Sequence, residues 1–214
     1  MEKKRIPGVE RRGLIIEAAL EVFAERGYEG ATVQRIADRA KINNGLIYKH
    51  FAGKADLYKA VLKKAPFQMF SEEEAQKLFK GNNDREVLKA FARRYLEIMK
   101  SNEKFVKFLN LGQWEKPQVF EMQYFHSQEF PITMLANYLE QRMKEKKLRK
   151  KKPRLAARVF LSTIHWYGLR LIIAKLHNYP AKGWAHTDEK EVLDIIVDVY
   201  LEGMKPRKRL PKKK

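Results

Sequence analysis

Apolar residues recur at intervals of three and four along most of the chain, which is the spacing of one face of an α-helix. The pattern predicts a first helix over about 9–26, ended by Gly27, then short helices over about 32–39 and 44–50. A fourth helix is expected over about 54–64. Strand-like alternation is hard to find, and glycine and proline are sparse. The sequence therefore predicts an all-α fold.

The remainder of the chain continues this pattern with longer amphipathic segments. Ser71 is expected to cap a helix whose acidic first turn favours the helix dipole, and another helix ends near Ser101. The most aromatic region, 114–130, is expected to be interrupted by prolines at 117 and 131, before a long helix over about 132–147. A helix opened by Pro153 is apolar on nearly all sides, and a final helix over about 187–203, capped by Thr187, has one wide apolar face. Two such late helices suggest a partner subunit.

The stretch 27–57 has the arrangement of a helix-turn-helix. Thr32 is a good N-cap for the first short helix, and Asn43 is a good cap for the second. Leu46, Ile47 and Phe51 supply the apolar face of the second helix, which is only about two turns long and cannot be stable alone. Short helices held by their neighbours in this way are typical of DNA-reading motifs.

The same stretch resembles the N-terminal domain of the TetR family of transcriptional regulators. The resemblance rests on Gly27-Tyr28, Thr32, Ile36-Ala37, Gly45 and the run from Tyr48 to Leu57, Tyr-Lys-His-Phe-Ala-Gly-Lys-Ala-Asp-Leu. The family usually has glycine and a small hydroxyl residue in the turn, where this chain has Lys41 and Asn43. A positive φ at Lys41 would cost about 1 kcal/mol.

The resemblance implies a set of DNA contacts around this motif. Asn44 is the leading base reader, because its carboxamide can pair with adenine N6 and N7, and Asn43 is second unless it only caps. Lys54 is expected to hold a phosphate together with the first N–H groups of its helix. His50 has a purely structural alternative. The full set of expected DNA contacts is Thr32, Arg35, Lys41, Asn43, Asn44, Gly45, Tyr48, Lys49, His50 and Lys54.

The resemblance also implies a division of the chain. Residues 1–65 are expected to form the DNA-binding domain, 66–204 a helical ligand-binding and dimerisation domain, and 205–214 a basic, disordered tail. A homodimer would form through the last two helices. A small-molecule effector would release the protein from a double-stranded DNA operator, most simply as a repressor. The aromatic residues that could line its pocket, or else belong to a plain core, are Trp114, Tyr124, Phe125, His126, Trp166 and Tyr167.

Charge and composition widen the choice of functions. The formal net charge is +19, yet residues 1–65 hold only 14 lysines and arginines against 8 acidic residues. The basic excess favours a polyanionic partner, so a non-specific or architectural nucleic-acid binder is the alternative function. A charged surface of the kind seen in heat-adapted proteins is the alternative for the charge outside the first domain.

No catalytic, metal or cofactor motif is recognisable in the sequence. The five histidines lack ligand spacing, and no phosphate loop or nucleophile elbow occurs. An enzyme on an inherited scaffold would have to keep turnover without residues 1–65. There is no cysteine, no secretory signal at the basic start and no apolar run of membrane-spanning length, so a cytoplasmic location is expected.

Overall fold

The structure is a computed structural model that describes residues 8–64, 69–81, 83–176 and 187–206, without the side chains of Gln113 and 117–130. Within these ranges the fold is all-α, as predicted, with no strand. The helices are α1 Gly8–Gly30, α2 Val33–Ala40, α3 Asn44–Tyr48, α4 Lys54–Lys63, α5 Glu72–Lys80, α6 Asp84–Ser101, α7 Glu103–Glu115, α8 Pro117–Lys144, α9 Pro153–Leu176 and α10 Glu189–Met204.

The chain forms two compact bodies whose division differs from the predicted domains. One body consists of Met1–Pro66 with Asn102–Ser127, and the other of Phe67–Ser101 with Gln128–Lys214. The predicted boundary near residue 65 is close to the first break. However, α7 joins the N-terminal body, because its apolar face packs along α1. Of the predicted basic tail, residues 207–214 lie outside the described residues.

An aromatic core holds the N-terminal body together. Phe23 of α1, Tyr58 of α4 and Phe108 of α7 form ring contacts with centroid separations of 5.2, 6.0 and 4.9 Å. All three side chains are buried. The first helix, predicted to end at Gly27, is interrupted there and then continues to Gly30, and the φ of 68° and ψ of −174° at Gly27 suit only glycine. α1 therefore supplies the surface on which α2, α4 and α7 pack.

The second body is centred on the packing of α9 and α10 against α6. Gly168 of α9 lies against α6 so closely that an added Cβ would come within 2.8 Å of Leu96 Cδ2 and of Met99 Sδ. Ion pairs join α10 to α6, where Arg85 pairs with Asp194 at 3.0 Å and with Asp198 at 2.8 Å. The small residue at position 168 is thus what permits the close approach of these two helices.

Two of the predicted helix boundaries are wrong. Pro131 does not end a segment: it lies inside α8, and the helix continues through it. Proline removes one backbone hydrogen bond and costs about 3 kcal/mol in a helix interior, but it does not always end the helix. Ile132 and Leu135 on the following turn are buried, which favours continuing it. At α10 the cap is Asp188, whose carboxylate accepts from the Lys190 N–H, instead of Thr187.

α9 is 24 residues long and, by length and composition alone, apolar enough to cross a membrane. The sequence expectation that no segment reaches this length is therefore not met by α9. The core helices of proteins without membrane spans pass the same test, and Phe160, Ile164 and Ile172 of α9 are buried within the fold.

Candidate nucleic-acid interface

Helix α2 begins and ends as its sequence predicts. The hydroxyl of Thr32 accepts the Arg35 N–H at 3.2 Å, and Ile36 and Ala37 are buried. At the other end Lys41 adopts a left-handed conformation with φ 56° and ψ 44°, and its N–H donates to Asp38 O at 3.1 Å. Lys41 therefore has a positive φ, and a β-carbon is held where the family usually has glycine.

Helix α3 is held in place by its cap and by two apolar side chains. Asn43 Oδ1 accepts the Leu46 N–H at 2.9 Å, which confirms its capping role. Ile47 and Phe51 are buried beneath the helix, and Arg12 of α1 lies 4.7 Å from the centre of the Phe51 ring. His50 follows the helix with a half-buried side chain. These contacts fix a helix of five residues.

The outer face of α3 is exposed, and the residue at its centre, Gly45, has no side chain. Tyr48 is 58% exposed, and Lys49 is also exposed. Within the described residues neither side chain has a hydrogen-bond or ion-pair partner. A Cβ added to Gly45 would meet only Asn43 Oδ1, at an ordinary 3.4 Å. The fold itself therefore does not require glycine at this position.

The polar residues beside this face already have partners within the protein. Asn44 Nδ2 donates to Gln34 Oε1 at 2.5 Å, while Asn44 Oδ1 is enclosed and has no partner among the described residues. Arg35 Nη1 donates to Gly30 O at 2.5 Å. Arg39 pairs with Glu21 at 2.9 Å and with Glu25 at 2.7 Å. The Asn44 side chain is thus held in one orientation by Gln34, whereas the sequence alone suggested a side chain free to turn towards a base.

Lys54 lies at the beginning of α4 but binds inward. Its Nζ donates to Tyr28 O at 2.8 Å and lies 4.4 Å from the centre of the Tyr28 ring. Gly53, with φ 156°, precedes it, and no side chain caps the helix. The Asp56 carboxylate accepts the Ala52 N–H at 3.2 Å. The first N–H groups of α4 therefore remain available to an anion, and Lys54 lies beside them.

The end of α7 holds the junction between α1 and α2, which no local sequence signal predicted. The Glu115 carboxylate accepts the Tyr28 N–H and fills the space that a Gly27 side chain would occupy. Lys116 pairs with Glu29 at 2.9 Å. The contact joins residues 87 positions apart, so only the fold could show it.

The same region contains an enclosed hydroxyl. Burial raises the pKa of Tyr58 to about 12, and the charge of Glu115 adds to the shift. In the described part of the chain this hydroxyl has no hydrogen-bond partner. The phenol is therefore neutral, and it is enclosed near the Glu115 carboxylate.

The predicted effector-pocket residues do not form one enclosed cavity among the described side chains. Trp114 is 88% exposed at the end of α7. The side chains of Tyr124, Phe125 and His126 lie outside the described residues. Trp166 lines an open groove of about 710 Å³ between α9 and α10, together with Tyr167 and Arg170. No group of three metal-ligating side chains comes together in the described ranges.

The arrangement of α2 and α3 on a small helical body defines a helix-turn-helix protein. A family model described as bacterial regulatory proteins, tetR family, matches residues 15–61. A second model, the C-terminal domain of AefR-like transcriptional repressors, matches residues 86–203, which is more than half of the chain. The chain belongs to the TetR family of DNA-binding transcriptional regulators.

Individual relatives are similar over short stretches of about 60 residues. The transcriptional activator FasR of Mycolicibacterium smegmatis is 48% identical over 60 residues, covering 28% of this chain and 27% of FasR. The transcriptional repressor AcnR of Corynebacterium diphtheriae is 41% identical over 59 residues, covering 28% and 31%. The chain thus matches less than a third of the length of these relatives.

The fold of the whole chain is shared with solved structures. FadR of Bacillus subtilis, in complex with stearoyl-CoA, matches with a TM-score of 0.67 at 19% identity, covering 89% of this chain and 98% of FadR. At this identity the likeness establishes the fold alone.

Replacing Lys41 with glycine should stabilise the protein. The left-handed backbone at Lys41 strains any residue with a Cβ, so Lys41→Gly should raise the free energy of unfolding by about 0.5 to 1 kcal/mol after the entropy cost of glycine. Urea denaturation followed by circular dichroism measures this. Lys41→Ala removes the same charge but keeps the Cβ, and should give no gain. Equal stability of the two variants would show that the strain is negligible.

Proposed function

We propose that this chain binds a specific DNA operator as a homodimer through α3 and represses transcription until a small molecule releases it. The observation that carries the proposal is the outer face of α3, where Gly45 is flanked by the exposed Tyr48 and Lys49. Because nothing in the fold needs a glycine there, its missing side chain serves a surface outside the protein. A major-groove wall is such a surface, since it admits a helix only at close range.

Phosphate contacts would come from around this face. Lys49 is exposed, and Thr32 and Arg35 lie at the beginning of α2. At α4 the uncapped N–H groups and the adjacent Lys54 offer donors to one phosphate, although Lys54 already donates to Tyr28 O. Lys54 would therefore contribute mainly by fixing the start of α4, with its remaining N–H bonds directed to the phosphate.

Selection of bound fragments from genomic DNA by the full chain tests this function. A regulator enriches a near-palindromic site with half-sites about 34 Å apart, and binds it at least about a thousandfold more tightly than random DNA at physiological salt. An architectural binder would enrich nothing and bind all DNA alike. The net charge of +19 is the observation that favours this second function.

Lys49→Ala should weaken binding to operator and random DNA by the same severalfold factor. A phosphate contact carries no sequence information, so the slope of log K against log salt should fall in magnitude by about 1 per subunit. Fluorescence anisotropy at several salt concentrations measures both quantities. Lys107→Ala removes another exposed positive charge, on α7, and should change the slope little. A selective loss of operator binding in Lys49→Ala would instead make Lys49 a base reader.

The homodimer is proposed from an exposed apolar stripe on the second body. Five large apolar side chains of α9 and α10 are more than half exposed, at helical spacing: Leu155, Val159, Trp166, Ile195 and Val199. The groove at Trp166 lies on the same two helices. A four-helix contact between two copies of α9 and α10 would cover the stripe, as a monomer rarely exposes so much apolar surface in one patch. The groove is then better filled by the partner than by an effector.

Ile195→Glu should convert the dimer to a monomer. A carboxylate at the centre of the contact would lose its water without gaining a partner, which should raise the dimer dissociation constant at least about a hundredfold. Sedimentation velocity across a concentration series measures this. Lys190→Glu also adds a negative charge on exposed α10 surface, away from the stripe, and should leave the dimer intact. An Ile195→Glu dimer of unchanged stability would place the contact elsewhere.

Release by an effector is proposed to act through the end of α7. Glu115 and Lys116 hold Tyr28 and Glu29, and Tyr28 O in turn holds Lys54. A shift of α7 would therefore move the beginning of α4 and the turn that positions α2. If α7 has different positions in the protein with and without effector, the two forms would differ in operator affinity because of this connection. Repression is the simplest outcome, although the relatives include an activator and a repressor.

Glu115→Ala should uncouple operator release from effector binding. The long-chain acyl-CoA esters are the first effectors to test, because the Bacillus subtilis FadR structure holds stearoyl-CoA. In Glu115→Ala the effector should still bind, as measured by calorimetry, while its fold effect on operator affinity falls towards one. Glu103→Ala, at the other end of α7, should keep the full effect. A full effect in Glu115→Ala would exclude this route.

A further inference from the structure

Three side chains form a hydrogen-bonded relay between α2 and α3. Gln34 Nε2 donates to Asp38 Oδ1 at 2.7 Å, and Asn44 Nδ2 donates to Gln34 Oε1 at 2.5 Å. Gln34 and Asp38 are exposed on α2, and Asn44 is half-buried at the beginning of α3. The relay therefore lies beside the outer face of α3 that is proposed to enter the groove.

The carboxylate at one end sets the direction of every bond in the relay. An ionised Asp38 can only accept hydrogen bonds, so Gln34 must turn its NH₂ group towards it. This leaves Gln34 Oε1 facing Asn44, which must supply its own NH₂ group. Asn44 Oδ1 is consequently turned inward, where it is enclosed and has no partner in the described part of the chain. Both carboxamides are thus locked in one of their two orientations.

The locked orientation decides which hydrogen-bonding groups remain for a ligand. Each NH₂ group has two hydrogens and uses one in the relay, so Gln34 and Asn44 keep one donor each. Asn44 Oδ1 is enclosed, so Asn44 offers a ligand only its donor, while Gln34 Oε1 already accepts one hydrogen bond from Asn44 and keeps one lone pair. Adenine offers a donor and an acceptor in the major groove, and its bidentate recognition needs a carboxamide oxygen. Guanine offers two acceptors, N7 and O6, side by side.

We infer that Gln34 and Asn44 read one base pair together and that the relay makes the base guanine. Gln34 is then a specificity-determining residue, and Asp38 is a positioning residue that acts through it. From its residue type alone, Asn44 was expected to pair with adenine. In the inferred contact, Asn44 and Gln34 instead donate one hydrogen bond each to guanine N7 and O6. This inference rests on the proposed operator binding and names the base that one position of the operator must present.

Selection from a random-sequence DNA library by the full chain tests the inference. The wild type should prefer guanine at one position of each half-site by about tenfold or more over the other bases. Gln34→Ala and Asn44→Ala should each remove this preference, and the double variant should lose no more than the larger single loss, because the pair acts as a unit.

Asp38→Asn provides the decisive comparison because it keeps the shape of the side chain. An amide at position 38 can donate to Gln34 Oε1, so the carboxamides of Gln34 and Asn44 can both reverse and offer an acceptor to the base. The preference for guanine should then fall at least about tenfold, and binding to adenine should increase. Glu10→Gln removes the same charge outside the relay and should leave the preference unchanged.

The outcomes separate this inference from the proposed function. If the wild type enriches a defined operator but Asp38→Asn selects the same base at every position, the relay does not set specificity and the inference is wrong. The same holds if the position affected by Asn44→Ala prefers adenine in the wild type. A wild type that enriches no sequence would overturn the proposed function, and the inference with it.

Discussion

A helix of five residues makes too few internal hydrogen bonds to be stable in water, and the N-terminal body is organised around that limit. Ile47 and Phe51 bury the inner side of α3, and Asn43 satisfies its first turn. The surface that receives them is provided by α1, which α4 and α7 hold in turn through the contacts of Phe23, Tyr58 and Phe108. The residues on the exposed side of α3 therefore contribute little to stability, and they can be those that a binding partner requires.

Ion pairs within the body limit how its basic charge can be used. Arg39 is bound by two carboxylates, and hydrogen bonds from Lys104 and Arg39 hold the pKa of Glu21 below its usual value. Lys54 is bound to Tyr28 O. The charge excess of residues 1–65 is modest to begin with, so a few placed groups must distinguish an operator from other DNA. The relay of Asp38, Gln34 and Asn44 is proposed to be such a group, and the direction of its hydrogen bonds depends on the single negative charge of Asp38.

The contact of α7 with Tyr28 gives the N-terminal body a possible route for regulation, in addition to its support of α3. The chain enters it twice, first through α1 to α4 and again through α7, and the second entry ends at the glycine where α1 bends. Because Gly27 has no side chain, the Glu115 carboxylate can reach the Tyr28 N–H. A regulator needs a contact of this kind, since a ligand changes DNA affinity only if its two states differ at the DNA-binding surface. The exposed stripe on α9 and α10 is proposed to supply the other requirement, a fixed distance between two copies.

The helices and their faces were predictable from local sequence, because period and capping depend on residues three or four positions apart. The motif, its capping residues Thr32 and Asn43, and the interruption of α1 at Gly27 all follow from such neighbours. The continuation of α8 through Pro131 could not be predicted in this way, because the burial of the following turn outweighs the local cost of proline inside a helix. The orientation of Asn44, the inward bond of Lys54 and the contact of Glu115 with Tyr28 were decided only by the tertiary structure. Each is a hydrogen bond between side chains or backbone groups that the fold brings together from separate helices, and no periodicity encodes it.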